Sequence, residues 1–274
     1  MCDSLPQSKS GDYTLSEPIP HVLLLTITRQ RAFNSLTGKA QHALYKLLNA
    51  VDADPHFYLT IITGEGKKAF SAGADLKEYL ERTTTESDAL PMPNGGFGGI
   101  ANRSGKKPII AAVNGVAYGG GMEMVTNCDL VVAASHAKFG LPEALRGVYV
   151  AGGALPRLLY TLGLQRASEM ALTGKPIDAQ KAYDWGIVNR IAKPDQDVVE
   201  VAIELAKELL ECSPDSLIAN RIGIRRGWDG LGVSGATAIG LGAEQLDIER
   251  SENTIEGLRA FKEKRGTKWG DPKL

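Results

Sequence analysis

The pattern of apolar positions opens with Val22-Leu23-Leu24-Leu25-Thr26-Ile27, a run with the length and composition of a strand. Thr37 follows as a helix cap. Behind it Ala40, Leu44, Leu47, Leu48 and Val51 recur at helical spacing, and Pro55 ends the element. Leu59-Thr60-Ile61-Ile62-Thr63 is a second strand, closed by the turn Gly64-Glu65-Gly66. Strand, helix, strand predicts an α/β protein. Ile109-Ile110-Ala111-Ala112-Val113 repeats the buried-strand pattern and leads, through Asn114 to Tyr118, into Gly119-Gly120-Gly121 and a helix start at Met122-Glu123-Met124-Val125. Asp129 to Ala134 reads as a further strand.

Beyond Gly163 the pattern turns helical. Leu164 to Leu172 is a helix stopped by Gly174. Asp178 caps Ala179 to Trp185, Gly186 stands just past its end, and Ile187-Val188 resumes as strand. Pro194-Asp195 opens a long amphipathic helix with Val198, Ala202, Leu205 and Leu209 on one stripe. From Ser213 the chain is mostly helical, with a basic end at Lys262, Lys264, Arg265 and Lys268, which suggests a docking or oligomerising appendage. The expected organisation is a polar amino-terminal tail over 1–14, a core over 15–210 and a helical region over 211–274. Two stretches resist a periodic reading. Residues 81–104 carry Thr83-Thr84-Thr85, two prolines and Asn94-Gly95-Gly96-Phe97-Gly98-Gly99, and predict a loop holding at most one helix. That loop is either the roof of a pocket, selecting a substrate tail, or a surface excursion. Lys138 to Ala144, with the Gly152-Gly153 pair after it, has no clear period, and Glu143 within it reads first as solvated.

Composition narrows the classes. The 274 residues are enough for one sizeable domain with an appendage, and 43% apolar with 23% charged is ordinary for a globular chain. A net charge of −1 gives no basic field for nucleic acid or an anionic membrane, and no apolar run is long enough to span one. The three cysteines and four histidines have no metal-ligand spacing, so no metal is expected. Scattered, odd-numbered cysteines point to a reducing compartment.

The candidate chemistry centres on Gly119-Gly120-Gly121. Glycines at a strand-to-helix turn let a ligand approach the backbone, and the first amides of a helix lack an internal acceptor. Such a turn either presents bare N–H groups to an oxygen gaining negative charge or is only a tight turn. No Lys-Ser/Thr follows the glycines and no Gly-x-Gly-x-x-Gly spacing is present, so it is not a nucleotide loop. Glu123 lies within reach of the same ligand, or simply favours the helix dipole. Ala69 to Glu78 crowds small residues between a strand and a helix. It reads equally as a second close-approach segment or as a plain connection with Asp75 as cap.

Phe70-Ser71-Ala72-Gly73-Ala74-Asp75-Leu76-Lys77-Glu78, Asn114-Gly115-Val116-Ala117-Tyr118-Gly119-Gly120-Gly121-Met122-Glu123, Cys128-Asp129-Leu130 and Phe139-Gly140-Leu141-Pro142-Glu143 occur in this order. With these motifs the chain resembles the crotonase superfamily, the enoyl-CoA hydratase/isomerase family, over nearly its whole length. The resemblance implies an α/β spiral of repeated ββα units and a C-terminal helical region used in trimer assembly, as a homotrimer or a dimer of trimers. It implies an acyl-CoA thioester substrate, with coenzyme A as part of that substrate and no separate cofactor. It implies an oxyanion hole from the amides of Ala74 and Gly120, and Glu123 and Glu143 as the carboxyl pair that handles water. Ala72, Asp75, Leu76 and Lys77 would line the CoA path, with Phe261 and Lys264 helping to hold CoA, often across a subunit boundary. Both carboxyls together favour hydration of a trans-2-enoyl-CoA or its reverse. A Δ3-Δ2-enoyl-CoA isomerase or a non-catalytic, RNA-binding homologue stands as the alternative.

The chain departs from the family where the first strand usually runs into Asn-Arg-Pro. Here it reads Thr28-Arg29-Gln30-Arg31, without the proline. After Glu143 the usual Pro before the glycines is missing, and Arg146 and Tyr149 read as packing or surface residues before acyl-end ones. Pro272-Lys273-Leu274 resembles the Ser-Lys-Leu tripeptide read by the peroxisomal import receptor, so a peroxisomal location is expected, with a cytoplasmic one as the alternative.

Overall fold

The computed structural model describes residues 2–84, 90–242 and 244–274. The chain starts with an antiparallel pair, β1 (Tyr13–Ile19) and β2 (Val22–Ile27), followed by α1 (Gly38–Ala53). Two ββα units come next: β3 (Leu59–Gly64), β4 (Ala69–Ser71) and α2 (Leu76–Thr84), then β5 (Ile109–Val113), β6 (Val116–Tyr118) and α3 (Gly120–Asn127). The third turn is β7 (Leu130–Ala134) and β8 (Lys138–Gly140), a 3-10 segment at Pro142–Arg146, then α4 (Ala154–Leu162) and α5 (Leu164–Thr173). After β9 (Ile177–Asp178), α6 (Ala179–Asp184) and β10 (Arg190–Ala192) the chain is helical: α7 (Val198–Leu210), α8 (Pro214–Trp228), α9 (Val233–Gly242), α10 (Glu244–Glu249) and α11 (Glu252–Glu263).

The three middle turns of this spiral (β3–β4, β5–β6 and β7–β8) each give their first strand to one sheet and their second to another. The larger sheet runs β1-β2-β3-β5-β7-β10, parallel from β2 onward, and the smaller runs β4-β6-β8-β9. The first turn has no strand in the smaller sheet, but Leu36 pairs with Ala74 in its place. This is the expected α/β spiral of ββα units.

The long apolar runs explain the core. Every residue of β3 and β5 is buried, as befits parallel strands covered on both faces. The predicted stripe of α1 packs inward, and the Thr37 hydroxyl accepts from the Ala40 amide at 3.2 Å. Helix α7 lies across β3, β5 and β7 with Val198, Val201, Ala202 and Leu205 buried. Fully buried side chains such as Phe57, Phe70 and Phe139 each contribute about 1.5–3 kcal/mol. Asp129 ties the C-terminal helices to this core. It accepts from Arg221 at 2.9 Å, Arg225 at 2.7 Å and the Ile109 amide at 2.9 Å, so α8 is anchored where β5 and β7 begin.

Several expectations are corrected. Within the amino-terminal stretch 1–14, Leu5 and Tyr13 are buried, and Tyr13 already belongs to β1. Ile187-Val188 is not strand; the pairing with β7 begins at Arg190. Helix α7 starts at Val198, capped by Asp197 rather than opened by Pro194-Asp195, because the Asp197 carboxylate accepts from Val199 N. Helix α4 gave no predicted element. In the stretch 81–104, α2 continues to Thr84 and positions 85–89 lie outside the described residues. Gly95 to Ala101 is not a surface excursion but buried, and Met92 and Phe97 of this stretch line the cavity described below, as the pocket reading expects. Gly98, with φ 63°, leaves no room for a Cβ beside the Met124 side chain, and Phe97 is 3% exposed.

At the far end, Ser251 caps α11, and the chain after it folds back. Asn253 donates to Asp215 and Gly270, Tyr58 donates to Asp271 at 3.0 Å, and the Lys273 amide donates to Asp215 at 2.8 Å. Val233, Ile255, Leu258 and Phe261 remain exposed on the last helices. Among the described residues no helix is long and apolar enough to cross a membrane.

Candidate active site

Two backbone segments meet at the centre of the spiral. Gly73, with φ 90°, lies so close to the second segment that a Cβ there would stand 2.9 Å from both the Gly120 amide nitrogen and the Tyr118 carbonyl oxygen. Only glycine permits both this backbone conformation and this approach. The Leu36 amide donates to Gly73 O at 2.8 Å and the Asp75 amide donates to Leu36 O at 3.1 Å. In a parallel pairing of this kind the residue between those two bonds, Ala74, turns its own N–H to the opposite side. Gly120 is the first residue of α3, so its amide has no acceptor within the helix. Two backbone donors thus border one cavity of about 340 Å³, lined by Ala72, Ala74, Leu76, Gly120, Glu123 and Glu143, among others.

Asp75 does not line that cavity. It is held by Arg29 at 2.9 Å, and its carboxylate accepts from Lys77 N at 3.2 Å, so it caps α2. The Arg29 guanidinium keeps its carboxyl below the usual range despite partial burial. Arg29 also pairs with Asp12, so one arginine locks the turn that carries Ala74. Asn114 performs a comparable task on the other segment. Its side chain donates to Gly66 O at 2.6 Å and Ala69 O at 3.0 Å, and accepts from Gly64 N at 3.1 Å.

The two glutamates stand in different surroundings. Glu123, in the first turn of α3, is 4% exposed and accepts from the Gly152 amide at 2.7 Å. Burial raises its carboxyl above the usual range, opposed by the Gly152 and Ala154 amides and by Arg157. The Gly152-Gly153 pair therefore has a function the sequence pattern did not reveal: a Cβ on Gly152 would collide with the Glu123 carboxylate. Glu143, on the 3-10 segment, has one carboxyl oxygen buried with no hydrogen-bond partner. Burial first, and the nearby Glu123 charge second, push it up to about 7. The glutamate that reads as solvated in sequence thus lines a cavity, with a carboxyl that keeps its proton to a higher pH than usual.

Sequence reasoning missed Phe97, whose ring packs against Gly120, and Tyr118, which lines the cavity and whose hydroxyl burial pushes above its ordinary range. Arg146 and Tyr149, expected first as packing or surface residues, both line the cavity. Lys77 is exposed and outside it. Phe261 is 87% exposed on α11, and Lys264 ends that helix at φ 56°; within one chain neither reaches the cavity lining.

Two amides bordering a cavity that is also lined by two carboxyls, both raised by burial, suit acid–base chemistry next to a carbonyl group. A family model described as enoyl-CoA hydratase/isomerase matches residues 20–272. The chain is 44% identical over 272 residues to a mevalonyl-coenzyme A hydratase of Beauveria bassiana, covering 96% of each. It is 42% identical over 263 residues to a mevalonyl-coenzyme A hydratase of Aspergillus fumigatus, covering 95% of each. The crystal structure of an enoyl-CoA hydratase from Mycobacterium marinum superposes with a TM-score of 0.86 at 32% identity, over 94% of this chain and 98% of that one. The chain belongs to the enoyl-CoA hydratase/isomerase family, and at that level it is a hydratase of CoA thioesters.

Proposed function

We propose that this protein adds water reversibly across the double bond of a short, branched enoyl-CoA, with mevalonyl-CoA as the hydrated partner. The observation that carries the reading is the Glu123–Glu143 pair on the cavity that the Ala74 and Gly120 amides border. The mevalonyl group is suggested by two relatives that share more than two-fifths of this sequence.

The roles follow from the surroundings of each group. In hydration, Glu123, whose charge is favoured by two amides, takes a proton from water as the oxygen bonds to C3. The π electrons move to the thioester oxygen, where the Ala74 and Gly120 N–H groups receive the charge. Glu143, whose raised carboxyl keeps a proton near neutral pH, delivers it to C2. Dehydration runs the same steps backwards. Each amide of this kind contributes about 3–4 kcal/mol to the transition state, and each acid or base about 10²–10⁴ in rate.

Ala72 and Leu76 border the entrance on the side where the CoA moiety would lie. Asp75 would act there by holding the turn, and Lys77 by reaching over it from the surface. Phe261 and Lys264 would complete CoA binding from a second copy of the chain, in a trimer built on the exposed apolar side chains of α9 and α11.

The test is loss of enoyl absorbance when the purified protein meets crotonyl-CoA or the branched dehydration product of mevalonyl-CoA. Faster loss with the branched substrate, abolished in Glu123→Gln, is the expected result. Double-bond migration without uptake of water would replace the reading with an isomerase.

A further inference from the structure

The cavity contains one charge that the reaction does not use. Arg146 lines it and is the one cation among its described lining residues. It sits three residues after Glu143 on the same 3-10 segment. In that helix type, side chains three apart stand on the same face, about 6 Å apart along the axis. The Arg146 side chain therefore leaves the backbone on the Glu143 edge, one turn further on. It has no hydrogen bond or ion pair among the described residues, and it sets the ionisation of neither glutamate. Arg146 is exposed, and the same cavity is lined by the apolar Met92, Val148 and Ala151 and by Tyr149, which is 75% exposed.

The reacting carbons are accounted for by Glu123, Glu143 and the two amides. An acyl chain that continued past C3 along the Glu143 edge would meet the Arg146 guanidinium. Guanidinium donors without an acceptor in the chain match an oxygen carried by the ligand.

We propose that Arg146, aided by the Tyr149 hydroxyl, binds an oxygen at the far end of the acyl group and so selects short thioesters that end in a hydroxyl or a carboxylate. The proposal rests on the hydratase reading of the same cavity. It adds the group that separates such substrates from a plain hydrocarbon chain, and it disfavours any acyl group ending in a cation.

The test uses three branched enoyl-CoA thioesters that differ only in their ends: hydroxyl, carboxylate and methyl. The readout is the ratio of kcat/KM for each oxygen-bearing substrate over the methyl-ended one, in wild type, Arg146→Leu and Arg146→Lys. The wild type should prefer one or both oxygen-bearing substrates. Arg146→Leu should lower that ratio about tenfold, the low end for a hydrogen bond to a charged group because the site is open to water. The loss should fall on KM. Arg146→Lys should restore part of a carboxylate preference and little of a hydroxyl preference, which identifies the end group. A merely structural effect lowers all three substrates alike and leaves the ratio unchanged. An unchanged ratio with three active substrates overturns this proposal alone. No hydration of any of the three by wild type overturns the hydratase reading and this proposal with it.

Discussion

Replacing Glu143 with Gln should make the protein more stable and nearly inactive, and the gain in stability should depend on pH in one direction. The folded state holds this carboxyl at about 7 against an ordinary 4.5. Below the ordinary value both folded and unfolded chains carry the proton, and the substitution changes little. As pH rises between those values, the unfolded chain gives up its proton while the folded one keeps it, so the wild type loses stability. Above about 7 the penalty is constant. Taken at face value the difference is about 3 kcal/mol. The side chain is half-buried and water screens the charge, which leaves about 1–2 kcal/mol. Glutamine has the shape of the protonated acid and escapes this penalty. Urea unfolding of both proteins on either side of that pH range measures the difference. The variant should gain about 1–2 kcal/mol at the alkaline end and almost nothing at the acid end. Its hydration rate should fall by about 10²–10⁴. A variant equally stable or less stable than wild type at alkaline pH would refute the assignment of Glu143 as a strained proton carrier.

Three further outcomes are expected. In the proposed mechanism Glu143 must carry its proton for hydration, so kcat/KM for hydration should fall as pH rises beyond about 7, and a hydration rate still climbing well above that point would contradict the assignment. Gly120→Val should lower kcat by about 10²–10³, because its side chain meets the Phe97 ring and displaces the amide, while binding of free coenzyme A measured by calorimetry should persist. Arg225→Met should cost about 3 kcal/mol in urea unfolding by leaving Asp129 and Asn127 short of a buried partner, with no change in the pH profile of the remaining activity.

The long apolar runs of β2, β3, β5 and β7, and the caps at Thr37 and Asp178, were legible because their information is local. The strands of the smaller sheet were not. Strands β4, β6 and β8 have three residues each, too few for a period, and their strand character comes from pairing with one another. The glycines of 95–99 read as a loop because their role is to fit beneath Tyr45 and Met124, which sequence alone does not place there. The same division runs through the site. Glu123 was visible at the head of a helix, but the Gly152 amide that orients it lies 29 residues away. Glu143 looked solvated until the order of motifs supplied a partner, and the buried, unpaired oxygen that gives it a proton depends on the folded cavity. Phe261 and Lys264 came only from the resemblance, and a single chain leaves them on the outside.

The central claim is that Glu123 and Glu143 move a water molecule onto C3 of a thioester held by two amides. Hydration of a branched enoyl-CoA in water labelled with heavy oxygen, followed by mass spectrometry of the product, tests it most directly. The account predicts one labelled oxygen per product, placed at C3, and loss of that product in Glu123→Gln and in Glu143→Gln while coenzyme A still binds. A rearranged product without label, or full labelling by either variant, would contradict it.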